Sequence, residues 1–325
     1  MKYLMRRAIR AVVLLFGVSV LCFLFTEMAP GSFFDEMRLN PQISPETISG
    51  LRARYGLDRP LLVRYGRWLM SVVQGDLGFS IAYNAPVAPL LWSRARNTLL
   101  LTITAMILTW LIGVPLGVWS AAHHDRWLDR IVETGNSLLI SIPEIVIALG
   151  LLALAVRSRT VPVGGMMSID HEELSTWGRL QDVLRHLLLP AAILVLSGVA
   201  IVIRHVRAGV VEVLEAPYVR AGRGLGIGQT RLLFRHVLPV AASPAISLFG
   251  LSIASLLSGS LLVEVATGWP GLGPLLVEAT LARDLYLVIG GIIFSALFLI
   301  VGNLIADLLL LTSDPRIRTG GLDAE

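Results

Sequence analysis

The chain has 325 residues, 55% of them hydrophobic and 15% charged, with a formal net charge of +4. Soluble domains carry about 25% charged residues, so this composition excludes an ordinary soluble enzyme. A single cysteine, Cys22, rules out an internal disulfide and a cysteine-based zinc centre. Lys2 is the only lysine, so the Gly-Lys-Ser/Thr loop that cradles nucleotide phosphates is missing and the chain is no P-loop ATPase. The small positive charge sits at the ends of apolar runs rather than on a face suited to nucleic acid.

A bilayer core of ~30 Å takes roughly 20 mostly apolar helical residues. Six stretches approach this length: about 11–26, 97–122, 134–156, 187–203, 237–263 and 285–313. Backbone polar groups in lipid must be satisfied internally, so each is expected to be a helix. The class is therefore an all-α membrane protein with six transmembrane helices. Lys2, Arg6, Arg7 and Arg10 precede the first stretch, as in a secretory leader. Its length, the spans that follow and the poor cleavage site at Glu27-Met28-Ala29-Pro30 favour a retained helix. The stretch 27–96 reads as a polar outer insertion with two short helices, around Pro45–Tyr55 and Pro60–Val73. In the second, Leu61, Leu62, Tyr65 and Leu69 recur at helical spacing opposite Arg64 and Arg67, an amphipathic piece expected to lie against the membrane or the span ends.

Cytoplasmic loops accumulate Lys and Arg. With the N-terminus inside, the inner segments 1–10, 123–133, 204–236 and 314–325 hold 14 Lys+Arg; the outer segments, leaving aside the long 27–96 insertion, hold 5. Both termini are accordingly expected in the cytoplasm.

The inner segment 204–236 is the most informative. A helix is expected up to about Arg223, then punctuation by Gly224, Gly226 and Gly228, then a second short helix with Leu232, Leu233 and Phe234 apolar and Arg231 and Arg235 charged. Pro239 is expected to kink or start the fifth span. A helix–turn–helix across the inner membrane surface suits docking into a partner's groove and passing a push into the attached spans.

This segment resembles the Glu-Ala-Ala loop of permease subunits in binding-protein-dependent ABC importers. Arg220-Ala221-Gly222 takes the Glu-Ala-Ala place, Gly226 the following glycine, and His236-Val237-Leu238-Pro239 the closing Ile-x-Leu-Pro. Gly222 for alanine and His236 for isoleucine are departures. The likeness extends through Tyr55-Gly56-Leu57-Asp58-Arg59-Pro60, Gly75-Asp76-Leu77-Gly78-Phe79-Ser80, Asn97-Thr98-Leu99, Trp127-Leu128-Asp129-Arg130 and Ser141-Ile142-Pro143. Further pieces are Glu264, Gly268-Trp269-Pro270-Gly271-Leu272-Gly273, Arg283-Asp284, Asn303, Asp307 and Asp314-Pro315-Arg316-Ile317-Arg318. In order along the chain, these are similar to OppB/DppB-type permeases for oligopeptides, dipeptides or nickel.

The resemblance implies a single transmembrane permease domain over 1–325 with the type I ABC importer permease fold, in the bacterial cytoplasmic membrane. It implies partners: a second, OppC/DppC-like permease, ABC ATPase subunits and an extracytoplasmic substrate-binding protein. It implies no cofactor in this chain, with ATP and Mg²⁺ held by the ATPases, and a cargo of oligopeptides or dipeptides. A permease for nickel, glutathione or another small solute shares the architecture. A secondary transporter would need repeated halves around a midplane ion site, and an intramembrane protease a facing nucleophile and histidine; neither pattern is evident. On this reading Tyr218, Arg220, Ala221, Gly226 and Arg231 form the coupling surface, and Leu238 and Pro239 join it to the fifth span.

Glu144 and Asp307 interrupt apolar runs, where a charge costs ~2.5–3.5 kcal/mol on insertion scales. They are either pathway groups or buried groups paired between helices, and Asn303 lies one helical turn from Asp307. His123, His124, His205 and His236 cluster at inner span ends, where interfacial anchoring is expected and a metal site is not. In Leu257-Ser258-Gly259-Ser260, small residues are expected to permit close helix contact.

Overall fold

The structure, a computed structural model, describes residues 2–28, 34, 44–54, 56 and 58–313. Ala29, Pro30, Tyr55, Leu57 and the 314–325 tail, including Asp314-Pro315-Arg316-Ile317-Arg318, lie outside the described residues. Helix α1 is Lys2–Met28. Short helices α2 (Pro45–Arg54) and α3 (Leu61–Val73) follow. A two-residue antiparallel ladder pairs β1 (Phe79–Ser80) with β2 (Ala85–Pro86). Next come α4 (Val87–Ala122), α5 (Trp127–Ser141), α6 (Glu144–Ser158) and α7 (Thr176–Leu214). After them lie α8 (Pro217–Gly224), α9 (Gln229–Thr267), α10 (Leu272–Leu281) and α11 (Leu285–Ser313).

Among the described residues, five helices are long and apolar enough to cross a membrane: α1, α4, α7, α9 and α11. The pair α5 and α6 passes the same test jointly, but with a 99° bend between them. Counted as one broken span, it brings the total to six. The run 134–156, expected as one continuous helix, is thus interrupted. The cause is local. Pro143 restricts its predecessor to extended backbone, and Ile142 adopts φ −90°, ψ 122°. Pro143 then precedes the first turn of α6, where its missing N–H is no loss.

The chain divides into two compact units, residues 1–97 with 270–300, and residues 98–269 with 301–325. In the first, α3 packs on α1 around buried Phe23, Trp68 and Ile289. Ring centroids of Phe23 lie 5.1 Å from Tyr65 and 5.2 Å from Trp68. The buried stripe of α3 differs from the expected one. Leu62 is exposed, while Arg64 turns inward and meets Glu27 at 3.0 Å. Trp68, three residues after Tyr65, completes the apolar face, and a nearby carboxylate redirects the arginine. In the same unit Asp284 accepts from the Ser80 hydroxyl at 2.7 Å and the Ala82 N–H at 3.0 Å, so the hairpin is tied to the start of α11. Tyr83 reaches Glu278; burial, then this hydrogen bond, pushes its phenol up to about 12.

The second unit is centred on α7, whose 39 residues span ~58 Å, about twice the bilayer core. Its middle buries Leu187, Ile193, Leu194 and Val199 against Leu101, Ile147, Leu256 and Trp269. Asn136 of α5 donates to the Ala200 carbonyl at 2.7 Å, satisfying a buried amide between helices. At the N-terminal end of α7, before the apolar run, Asp182 gathers the polar loop 159–175. It accepts from the Ser168 N–H at 2.9 Å and hydroxyl at 2.7 Å, and meets His171 Nδ1 at 2.7 Å.

Candidate functional site: the segment after α7 and the broken span

The segment beyond α7 is built from α8, a glycine turn and the start of α9. Pro217 opens α8, as its fixed φ favours. The helix ends in a left-handed cap: Gly226 has φ +79°, its N–H donates to the Arg223 carbonyl, and the Ile227 N–H donates to the Gly222 carbonyl. This paired arrangement satisfies carbonyls that the helix end leaves open. A Cβ at Gly222 would lie 3.0 Å from the Leu232 side chain and 3.6 Å from Ile227. The glycine at this position therefore lets α8 lie close against the following helix.

The second helix is not separate from the fifth span. Residues Gln229–Leu232 pass through a π-helical turn, Leu233–Val237, directly into Leu238–Thr267. The widened turn sits just before Pro239, where the missing N–H and the ring disfavour a regular ladder. Pro239 thus sits in the first turn of the regular α-helix Leu238–Thr267, and the preceding turn carries the distortion.

One side of this segment is anchored. Val219, Leu232 and Val237 are buried with Ala121, Val202, Val206, Val210 and Ala241. The other side is open: Tyr218, Arg220, Ala221, Gly226, Arg231, Phe234 and Pro239 are exposed, and Leu238 is half-buried. The Tyr218 hydroxyl leans on the His236 carbonyl at 3.4 Å. Residues 216–236 contain four arginines and no carboxylate. The outward face is thus cationic with aromatic and aliphatic side chains between, while a valine–leucine underside grips α4, α7 and α9.

Beside this anchor lies an ion-pair centre that sequence reasoning missed. Asp129, 1% exposed, accepts from Arg207 Nε and Nη2, both at 2.7 Å, and from the Ser120 hydroxyl at 2.5 Å. His124 Nδ1 lies 3.3 Å from the same carboxylate. Asp129 and Arg207 flank the apolar runs 134–156 and 187–203 rather than lying inside them. The Arg207 guanidinium, bonded through both arms, holds the Asp129 carboxyl far below the usual range. The available signal was two opposite charges at same-side ends of neighbouring spans. Their 78-residue separation hid the pairing.

The polar residues inside apolar runs lie apart. Glu144 opens α6 at the bend, half-buried against Gly259 of α9. Asn303 and Asp307 are half-buried on one side of α11, where a Cβ at Gly302 would meet Ile253 at 2.3 Å. Glu144 makes no hydrogen bond or ion pair to either of them. Among the described residues no group of three or more His, Cys, Asp and Glu is placed to hold a metal ion.

Comparison with known proteins places this architecture. The inward-facing MetNI methionine ABC transporter has a chain that aligns with TM-score 0.56 and 16% identity, over 69% of this chain and 96% of that one. The fold is therefore that of a multi-pass ABC importer permease. Residues 113–319 match the family described as binding-protein-dependent transport system inner membrane component, and residues 1–109 match its N-terminal counterpart. This chain belongs to that family and is an OppB/DppB-like permease of the inner membrane. The oligopeptide transport system permease protein AppB of Bacillus subtilis is 36% identical over 97% of this chain and 99% of its own. The glutathione transport system permease protein GsiC of Escherichia coli K12 is 35% identical over 98% and 99%. A putative peptide permease protein of Brucella suis is 33% identical over the same shares.

Proposed function

We propose that this chain forms half of the translocation path of a peptide importer, with a second, homologous permease as the other half. The observation that carries the cargo is the full-length likeness to an oligopeptide permease at 36% identity. Glutathione is a second reading, favoured by the likeness to GsiC; it too is a short peptide with a free α-amino group.

In this reading both termini and the segment 204–236 face the cytoplasm, as the 14-to-5 cation imbalance supports. The exposed face of Tyr218, Arg220, Ala221 and Arg231 docks on ABC ATPase subunits, with the arginines meeting acidic groups there. Gly226 sets the angle between the two arms, and Leu238 and Pro239 carry displacement into α9 without a hinge, because the helix is continuous. ATP and Mg²⁺ reside in those partners and supply the energy. Glu144, Asn303 and Asp307 belong to the path or to the packing between helices. An extracytoplasmic binding protein delivers the cargo to the outer face.

The test is reconstitution of the complex in proteoliposomes with its binding protein. ATP-dependent uptake of a labelled short peptide, competed by glutathione to a degree that ranks the two cargoes, is the expected result. Uptake of nickel alone, or uptake that survives ATP depletion and collapses with the ion gradient, would overturn the reading.

A further inference from the structure

The bend between α5 and α6 exposes a polar lining that the coupling mechanism does not use. Beside it opens a cleft of about 930 Å³, its open mouth included, bordered by Thr109, Glu144, Ser197, Ser252 and Ser255 among aliphatic side chains. All of these residues lie in apolar helices, where an ionisable group such as Glu144 is costly and marks a functional site by default.

The chemistry of the lining has one sign. Glu144 makes no hydrogen bond or ion pair among the described residues, and an ionised carboxylate only accepts. Ser197 already donates its proton to the Ile193 carbonyl at 2.9 Å, and Ser252 to the Leu248 carbonyl at 2.9 Å. Toward any further partner in the cleft their oxygens therefore act only as acceptors. The Thr109 hydroxyl, on a residue 1% exposed, has no partner. Three acceptors and two uncommitted hydroxyls, those of Thr109 and Ser255, thus border one cleft with no cation among them. The packing is arranged to hold the carboxylate there. A Cβ at Gly259 would lie 2.9 Å from both carboxylate oxygens of Glu144, so with glycine there the carboxylate rests against the α9 backbone, and a larger residue would make it move.

We infer that this cleft is a transit site for a primary ammonium, the free amino terminus of the imported peptide, with Glu144 as its counter-charge and the Ser197, Ser252 and Thr109 oxygens as further acceptors. A protonated amine offers three donors and no acceptor, which matches this lining. Charge-assisted bonds to it are shorter and stronger than neutral ones, and they replace the water that the amine leaves behind on entering the membrane. The inference rests on the peptide reading above.

The experiment uses the assembled complex in proteoliposomes with its binding protein and a labelled tripeptide bearing a free amino terminus. Glu144→Gln, which keeps the shape and removes the charge, is expected to lower peptide imported per ATP hydrolysed at least tenfold, and Glu144→Asp to restore part of it. Gly259→Val, which displaces the carboxylate without neutralising it, should reproduce the loss. A second measurement covers poor assembly. In a Cys22→Ser/Ser255→Cys complex, which keeps Glu144 and places the thiol on the cleft border, the thiol should react with a cationic methanethiosulfonate and be protected when peptide-loaded binding protein and ATP are supplied. Glu144→Gln importing peptide like wild type, or a thiol that neither reacts nor is protected, overturns the inference alone. Wild-type complex that imports no peptide overturns the peptide reading and the inference together.

Discussion

At Asp129 a buried carboxylate meets both arms of the Arg207 guanidinium, the Ser120 hydroxyl and His124. Removing one partner of a buried pair strands the other, at about 3–5 kcal/mol, whereas replacing both by apolar groups is often neutral. Asp129→Asn is therefore expected to lower the unfolding temperature of the detergent-solubilised protein markedly. Asp129→Leu with Arg207→Met should recover most of that loss. Equal unfolding temperatures for Asp129→Asn and wild type would show that the pair does not brace this end of the unit. Asp182 makes a prediction of opposite visibility. Burial alone would raise its carboxyl, but the hydrogen bonds from Ser168, then His171, bring it down to about 2. Its folded value lies below the ordinary 3.8, so its contribution is complete above about pH 4 and is lost as pH falls through about 2. The stability gap between wild type and Asp182→Asn should be wide at pH 7 and shrink over that interval, as read by unfolding temperature across a pH series.

Among the elements, the turn after α8 depends on one backbone angle. Gly226 has φ +79° with open space where a side chain would go, so the obstacle to substitution is conformational, about 1–2 kcal/mol for an ordinary residue and less for asparagine. On the coupling reading, peptide uptake should fall in the order Gly226→Asn, Gly226→Val, Gly226→Asp, the acidic change also meeting the acidic docking groups proposed for the ATPase and abolishing transport. Membrane insertion should be unaffected throughout, as judged by the yield of full-length protein. Normal uptake by Gly226→Val would detach this turn from coupling. The same element explains a legibility limit. Glycine punctuation announced a turn between two helical arms, and Pro217–Gly224 bears that out. The second arm merges with α9 through a π-helical turn. No composition signal marks such a turn, since it depends on how the Pro239 ring and the buried Val237 share one ladder.

For the molecule as a whole, hydropathy located the helices because lipid leaves a buried backbone no other partner. Charge at the run ends and the spacing of Arg220, Ala221, Gly226 and Pro239 carried the family resemblance, which the match over residues 113–319 bears out. Hydropathy also marked Glu144 as anomalous, because a carboxylate among leucines is costly wherever the chain goes. The sequence by itself therefore determined the membrane class, the helical architecture and the glycine-punctuated turn after Gly224: periodicity, run length and local turn chemistry act within a few residues. Only the tertiary structure decided that 134–156 bends by 99°, that Arg207 closes on Asp129 and that Glu144 comes to rest against Gly259. Those outcomes join residues far apart in the chain, and such pairings depend on which helix faces meet once the rods pack.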